Sequence, residues 1–169
     1  NDFGCPSNFI NGGRYEEEYY QVLASFRRPY SVFLDIGANL GVFSLRLAPL
    51  LRKGKIFAFE PNSTIHELFS RSVHLNGLKQ LINIFKFGVS DKNAELALAV
   101  PEGHAGGASV CQIDESYAGP RIQVRRIDDV LSDLAGFDLA KIDVEGHELH
   151  ALQGMDQLLQ RSRNAVILF

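Results

Sequence analysis

The sequence predicts a doubly wound α/β fold: a mostly parallel sheet with helices on both faces. Three observations carry that expectation. Short apolar runs alternate with amphipathic stretches, several runs close on an acidic residue, and glycine or proline punctuates the turns. Strands covered on both faces read as near-continuous apolar runs. Strand–helix alternation is what stacks helices on both sides of such a sheet. A chain of 169 residues suffices for one real core, and its 46% hydrophobic content is that of a globular protein.

The elements follow in order. Asn1 to Gly13 is glycine- and proline-containing and reads as loop. Tyr15, Tyr19, Val22, Leu23 and Phe26 recur at helical spacing, Glu16, Glu17 and Glu18 suit a first turn, and Pro29 ends the stretch. An amphipathic helix over 14–27 should therefore pack on the body, dividing the chain into an N-terminal piece 1–30 and a domain 31–169. Ser31 to Ile36 is the first strand, Leu40 to Leu51 a helix, Lys55 to Glu60 the second strand. Ser63 to Asn76 is a helix with an Asn76-Gly77 stop, and Ile82 to Phe87 is the third strand. Glu95 to Val100 and Ile122 to Arg126 read as the arms of a β-hairpin-like insertion around the glycine-rich stretch 102–120. Ile127, Val130, Leu131 and Leu134 fit a short helix. Leu139 to Val144 is the fourth core strand. Glu148 to Leu159 is helical, broken at Gly154, with Asp156 capping the second piece. Ala165 to Phe169 is the fifth, read as a buried strand. A chain seldom stops right after one, which points to native sequence beyond Phe169. The layout is Rossmann-like, and ligands in such sheets bind beyond the carboxyl ends of the strands.

Charge and composition exclude some classes. A net charge of −3 gives no basic footprint for nucleic acid, and Arg121, Arg125 and Arg126 read as a solvated strand face. No apolar run approaches a membrane span, and no signal peptide pattern opens the chain. Cys5 and Cys111 sit in no metal-type spacing and read as free thiols of a cytoplasmic protein. Oligomeric state is not legible.

Functional signals sit at strand ends. Asp35-Ile36-Gly37-Ala38-Asn39-Leu40-Gly41 joins the first strand to its helix. Gly37 allows a tight turn and close approach of a ligand, and Gly41 lets the helix start lie near the sheet. Free amides at the helix start would suit a carboxylate, and Asp35 could accept from loop amides or from a ligand ammonium. The dinucleotide fingerprint G-x-G-x-x-G is absent, because Asn39 holds its third position. The alternative is a plain tight strand-to-helix turn. Phe57-Ala58-Phe59-Glu60-Pro61-Asn62 closes the second strand, and Glu60 is placed to accept both hydroxyls of a ribose, or else to cap the next helix. Val89 and Ser90, in Gly88-Val89-Ser90-Asp91, could wall and contact a base, or form an ordinary turn.

Together these motifs resemble the FkbM-type methyltransferases, a branch of the class I S-adenosylmethionine-dependent enzymes. The matching pieces are the Asp35–Gly41 loop, Phe59-Glu60-Pro61, Val89-Ser90-Asp91, Arg126-Ile127-Asp128-Asp129-Val130-Leu131 and Lys141-Ile142-Asp143-Val144-Glu145-Gly146-His147-Glu148-Leu149. The last is the most specific, and the resemblance runs from about Tyr15 to Phe169. It implies S-adenosyl-L-methionine as cofactor, held by Asp35, Gly37, Ala38, Asn39, Gly41, Glu60, Pro61, Asn62, Val89, Ser90 and Asp143. It implies O-methylation of a hydroxyl on a small molecule, a sugar or a polyketide-like product. Two strands that follow the fifth in a full class I fold are not found here.

Methyl transfer from a sulfonium needs the acceptor oxygen held in line and its proton removed. Asp143 should face cofactor or acceptor, with Lys141 as its partner. Glu145 should share its side if the strand continues. His147 has a near-neutral intrinsic pKa and suits a base, and equally reads as a solvated histidine in a turn. Asp143 and Glu145 could hold Mg²⁺, but no third ligand is visible, so no metal is expected. His66, His74, His104 and His150 read as surface residues, with His104 able to reach an acceptor if the insertion closes as a lid. The rival readings are an inactive cofactor-binding domain of a larger protein and a nicotinamide enzyme.

Overall fold

The computed structural model describes residues 16–99, 109–111 and 119–169. Its centre is a five-stranded parallel sheet of β1 (Val32–Ile36), β2 (Lys55–Phe59), β3 (Ile82–Phe85), β8 (Leu139–Ile142) and β9 (Val166–Leu168), in the order β3-β2-β1-β8-β9. The chain runs outward from β1 to β3, then returns to the other side of β1 for β8. The switch point predicted for such sheets thus lies at the carboxyl ends of β1 and β8.

Strand alternation sorts the core into two layers. Phe33, Ile56, Ala58 and Leu139 join a cluster with α1 (Glu17–Phe26), α2 (Val42–Leu47) and α3 (Ser63–Leu75). Leu34, Ile36, Phe59, Ala140 and Ile142 pack on the opposite side with α4 (Ile127–Val130), α5 (Glu148–Gln153) and α6 (Asp156–Arg161). A one-residue slip in any strand would exchange these sets, so the register is pinned by both layers.

The sequence reading needs several corrections. The buried face of α1 is Leu23 and Ala24 with Tyr20 packed beside them, whereas Tyr19, Val22 and Phe26 are exposed. Arg46 sets this rotation: its guanidinium lies 3.6 Å from the centre of the Tyr20 ring and pairs with Glu17. Tyr15 and the N-terminal loop lie outside the described residues. The helix expected over 40–51 is α2 followed by a 3₁₀ turn, Ala48–Leu50, because Pro49 has no amide hydrogen for an α-helical bond. The third strand stops at Phe85.

Gly88–Val89 forms β4 in a second sheet with β5 (Ala94–Ala99), β6 (Ser109–Cys111) and β7 (Arg121–Arg125), ordered β4-β7-β5-β6. The two expected arms do pair antiparallel, Ala94 opposite Val124 to Ala97 opposite Arg121. Yet the insertion is a separate mixed sheet, since β4 adds to β7 in parallel. Most of the glycine-rich stretch, with His104, falls outside the described residues. Finally, β9 is half-buried rather than buried, and Phe169 is exposed.

The break at Gly154 is as expected. A Cβ there would lie 1.9 Å from the Ser90 carbonyl oxygen, so the glycine permits close packing of α5 on the turn after β4. The cap is not Asp156, which is already inside α6. Asp128 caps α6 instead, accepting from the amides of Gln157 and Leu158 at 3.0 and 2.9 Å. Arg126 pairs with the same carboxylate and also donates to the Asp91 carbonyl, so it is pinned rather than solvated.

Candidate functional site

The loop after β1 is fastened to the end of β2. The amides of Gly37 and Ala38 both donate to the Phe59 carbonyl, and that of Asn39 donates to Glu60 Oε2 at 2.9 Å. Left-handed backbone at Gly37, Asn39 and Gly41 makes this path possible. At Gly37 the requirement is severe: a Cβ would lie 1.9 Å from the Asp143 carbonyl oxygen. The loop therefore seats directly on the end of β8. At Gly41 the space is filled by the Phe69 ring. The amides of Gly37, Ala38 and Asn39 are thus committed within the protein.

Asp35 is 1% exposed. Its Oδ2 accepts from the Ser44 hydroxyl at 2.6 Å and the Ser44 amide at 3.2 Å, in α2 rather than the loop. Its Oδ1 is buried and has no hydrogen-bond partner among the described residues. Burial raises its pKa, against the lowering influence of Lys141. Glu60 is also buried, and burial raises its pKa too, partly offset by amides of Asn62 and Asn39. Its capping alternative is ruled out, because Asn62 caps α3 through the amides of Thr64 and Ile65. Each Glu60 oxygen takes one amide, at 2.8 and 2.9 Å, and keeps a lone pair for a hydroxyl.

Lys141 stands opposite Asp35 in the β1–β8 register, so both side chains leave the same face. It is 7% exposed and donates to Asp143 Oδ2 at 2.8 Å. The sequence identified it only as a partner for Asp143. In the fold it also bears on Asp35 and Glu60. Three carboxylates thus share one buried ammonium at the switch point. Such a rim is short of positive charge, and the unpartnered Asp35 oxygen lacks a donor. A ligand with a sulfonium and an ammonium fits that deficit. A pyrophosphate does not.

The segment after β8 departs from the extended path. The strand ends at Ile142, and Glu145 and Gly146 adopt left-handed conformations. Alternation therefore does not carry Glu145 to the side of Asp143, and its side chain is exposed. Glu148 Oε1 accepts from the Gly146 amide at 3.0 Å and braces this turn. His147 is half-buried at the start of α5, and its Nε2 lies 3.0 Å from Ser90 Oγ. Its ring stacks on His150 at 4.5 Å. Burial, then the His150 charge, lowers the His147 pKa, so the imidazole is neutral at pH 7.

Val89 and Ser90 are enclosed in the protein, Val89 within the core layer of Phe59 and Ile127. The Ser90 hydroxyl serves Asp91 and His147. Pro61 packs toward Gly88 at the end of β4. Among the described residues no group of three or more His, Cys, Asp or Glu side chains could hold a metal ion, and no helix is long and apolar enough to cross a membrane. Ser44, Asp128 and His150 were missed as participants. Only Asp128 carried a signal, as part of the motif shared with the resembled family.

Comparison with known proteins shows the family. Residues 35–169 match the Methyltransferase FkbM domain. The chain is 26% identical to the 2-O-methyltransferase NoeI of Sinorhizobium fredii, over 85% of this chain and 65% of that protein. It is 27% identical to the hexuronic acid methyltransferase AglP of Haloferax volcanii, over 92% of this chain and 62% of that protein. The crystal structure of an FkbM methyltransferase from Methylobacillus flagellatus superposes with a TM-score of 0.60 at 19% identity, covering 88% of this chain and 38% of that one. The chain thus spans less than two thirds of each. The strand order, the charge-deficient rim and the matched domain lead to one assignment: this chain belongs to the FkbM methyltransferase family, whose cofactor is S-adenosylmethionine.

Proposed function

We propose that the protein transfers a methyl group from S-adenosylmethionine to a hydroxyl of a small molecule, a sugar or a natural product. The rim of Asp35, Glu60, Asp143 and Lys141 is the observation that supports it, since it calls for a cationic ligand. O-methylation and a sugar-like acceptor are supported by the names of NoeI and AglP.

Glu60 would hold the ribose hydroxyls on its remaining lone pairs. Asp35 Oδ1 would take a hydrogen bond from the cofactor's ammonium, and the Gly37–Gly41 turn, with Ala38 and Asn39, would let it lie close against the backbone. Pro61, Asn62, Val89 and Ser90 would shape the nucleoside end from behind. When bound, the cofactor supplies an electrophilic methyl group whose transfer needs an unprotonated oxygen nucleophile. Asp143, at the end of β8, would orient that oxygen. His147, neutral and on the adjoining turn, would remove its proton, with Glu145 beside it on an exposed bend.

Titration calorimetry with S-adenosylmethionine should give clear binding to the wild type. Glu60→Ala should weaken it by ~1.5–3 kcal/mol, the usual loss of a charge-assisted hydrogen bond. Methyl transfer is then assayed on a panel of methyl glycosides and hexuronosides. Wild-type affinity in Glu60→Ala would show the pocket misplaced. Binding without turnover by the full-length protein would favour an inactive cofactor-binding domain.

A further inference from the structure

Four polar side chains lie together where the turn after β4 meets the start of α5: Ser90, Asp91, His147 and His150. Their hydrogen bonds settle which way the protons point. Ser90 Oγ is 2.9 Å from Asp91 Oδ1 and 3.0 Å from His147 Nε2. A hydroxyl has one hydrogen, and an ionised carboxylate only accepts. The hydrogen bond from Ser90, then burial against it, then the charge of His150, govern Asp91, and the net result keeps its carboxyl below the usual range. Asp91 is therefore the acceptor, and Ser90 spends its hydrogen there. The Ser90 oxygen can then meet the imidazole only as an acceptor. His147 must carry its proton on Nε2 and its lone pair on Nδ1.

We propose that Ser90 and Asp91 are positioning residues for His147, a relay Asp91–Ser90–His147 that fixes the Nε2-protonated tautomer and presents Nδ1 as the atom that takes the acceptor's proton. This rests on the reading of His147 as the base. When the acceptor's O–H bond breaks, the proton passes to Nδ1, Nε2–H keeps its bond to Ser90, and the positive charge that forms on the ring faces the negative charge of Asp91 through one hydroxyl. The arrangement needs no proton to move along the relay.

The packing suits that task. Ser90 is fully buried and its carbonyl packs closely against Gly154, so its backbone is held in place. Its amide donates to the Arg125 carbonyl, tying it to β7. His150 stacks on one face of the His147 ring while its Nδ1 lies 3.5 Å from Asp91 Oδ2, so one carboxylate steadies both imidazoles. The other charges that bear on His147 are Glu148, which favours its protonation, and Lys92, which opposes it.

Long-range ¹H–¹⁵N NMR of the uniformly labelled protein reads the tautomer directly, with His147→Gln used to assign the signal. The expected result is a protonated Nε2 and an unprotonated Nδ1 in the wild type. Ser90→Ala should relax this toward a mixture. Asp91→Asn, at a partly exposed position where folding is not at stake, should lower the titration midpoint of His147 by about half a unit, because a facing negative charge is lost. An Nδ1-protonated wild type overturns the relay, as does a His147 midpoint unmoved in Asp91→Asn. Turnover on the glycoside panel separates the two readings. Unchanged turnover in His147→Gln with the expected tautomer defeats the base assignment. The opposite tautomer in a protein whose turnover needs His147 defeats the relay alone.

Discussion

The carboxylate rim and the Ser90–His147 cluster are built in opposite ways. The rim places Asp35, Glu60, Lys141 and Asp143 by backbone register, through residues at or beyond the ends of three adjacent parallel strands. Its charges do not balance, and one buried carboxylate oxygen has no partner among the described residues. The cluster gathers Ser90 from the turn after β4 and His147 from the turn before α5, 57 residues apart in sequence. There the polar atoms of Ser90, Asp91 and His147 satisfy one another. A site left incomplete inside a rigid frame is suited to bind a charged ligand. A site completed by its own neighbours is suited to hold one side chain in one protonation state.

The largest expected effect strikes the rim. Gly37→Ala adds a Cβ against the Asp143 carbonyl at a left-handed position, so strain and overpacking together should cost ~3 kcal/mol. Denaturant melting reads it, and a near-neutral midpoint would mean that the loop does not sit on β8. Next comes the chemistry of the cluster. His147→Gln should lower turnover on the order of 10²-fold while leaving cofactor affinity unchanged. A parallel loss of affinity would merge the two regions into one.

Asp128→Ala should cost about 2 kcal/mol by removing the cap of α6 and the partner of Arg126. It should disturb the His147 tautomer without altering cofactor binding, because α5 and α6 pack in the layer of Leu34, Ile36 and Phe59, whereas Asp35 bonds to α2. The smallest effect is in pH dependence. Burial raises Asp35 and Glu60, so the folded apoprotein binds protons that the unfolded chain has released. Their contribution to apoprotein stability therefore grows as pH falls through the raised folded values and levels off below the unfolded ones. A cationic cofactor prefers the ionised carboxylates, so its affinity should fall over that same window. Wild type minus the Asp35→Asn, Glu60→Gln double variant isolates both trends, and affinity that held steady or rose on acidification would break the charge argument.

The rim was legible in advance because its parts are local. An apolar run closing on Asp35, a glycine turn, and a second run closing on Glu60 each announce a strand end, and parallel pairing brings strand ends together without further instruction. Lys141 was visible as a residue but not as the shared counter-charge, since only the β1–β8 register sets it opposite Asp35. Alternation would bring Glu145 to the side of Asp143 only in a continuing strand, and a left-handed turn interrupts it. The faces of α1 were misassigned for a similar reason: Tyr20 turns inward under Arg46, a residue from another helix.

By itself, then, the amino-acid order determined the strand–helix alternation, the glycine turn and the acidic strand ends, all properties of a few neighbouring residues. The folded chain alone decided that β4 leaves the main sheet, that Asp128 caps a helix 28 residues away, and that Ser90 meets His147. Those contacts join segments distant in sequence, and they exist only once burial has fixed both backbones and left each polar group one partner within reach.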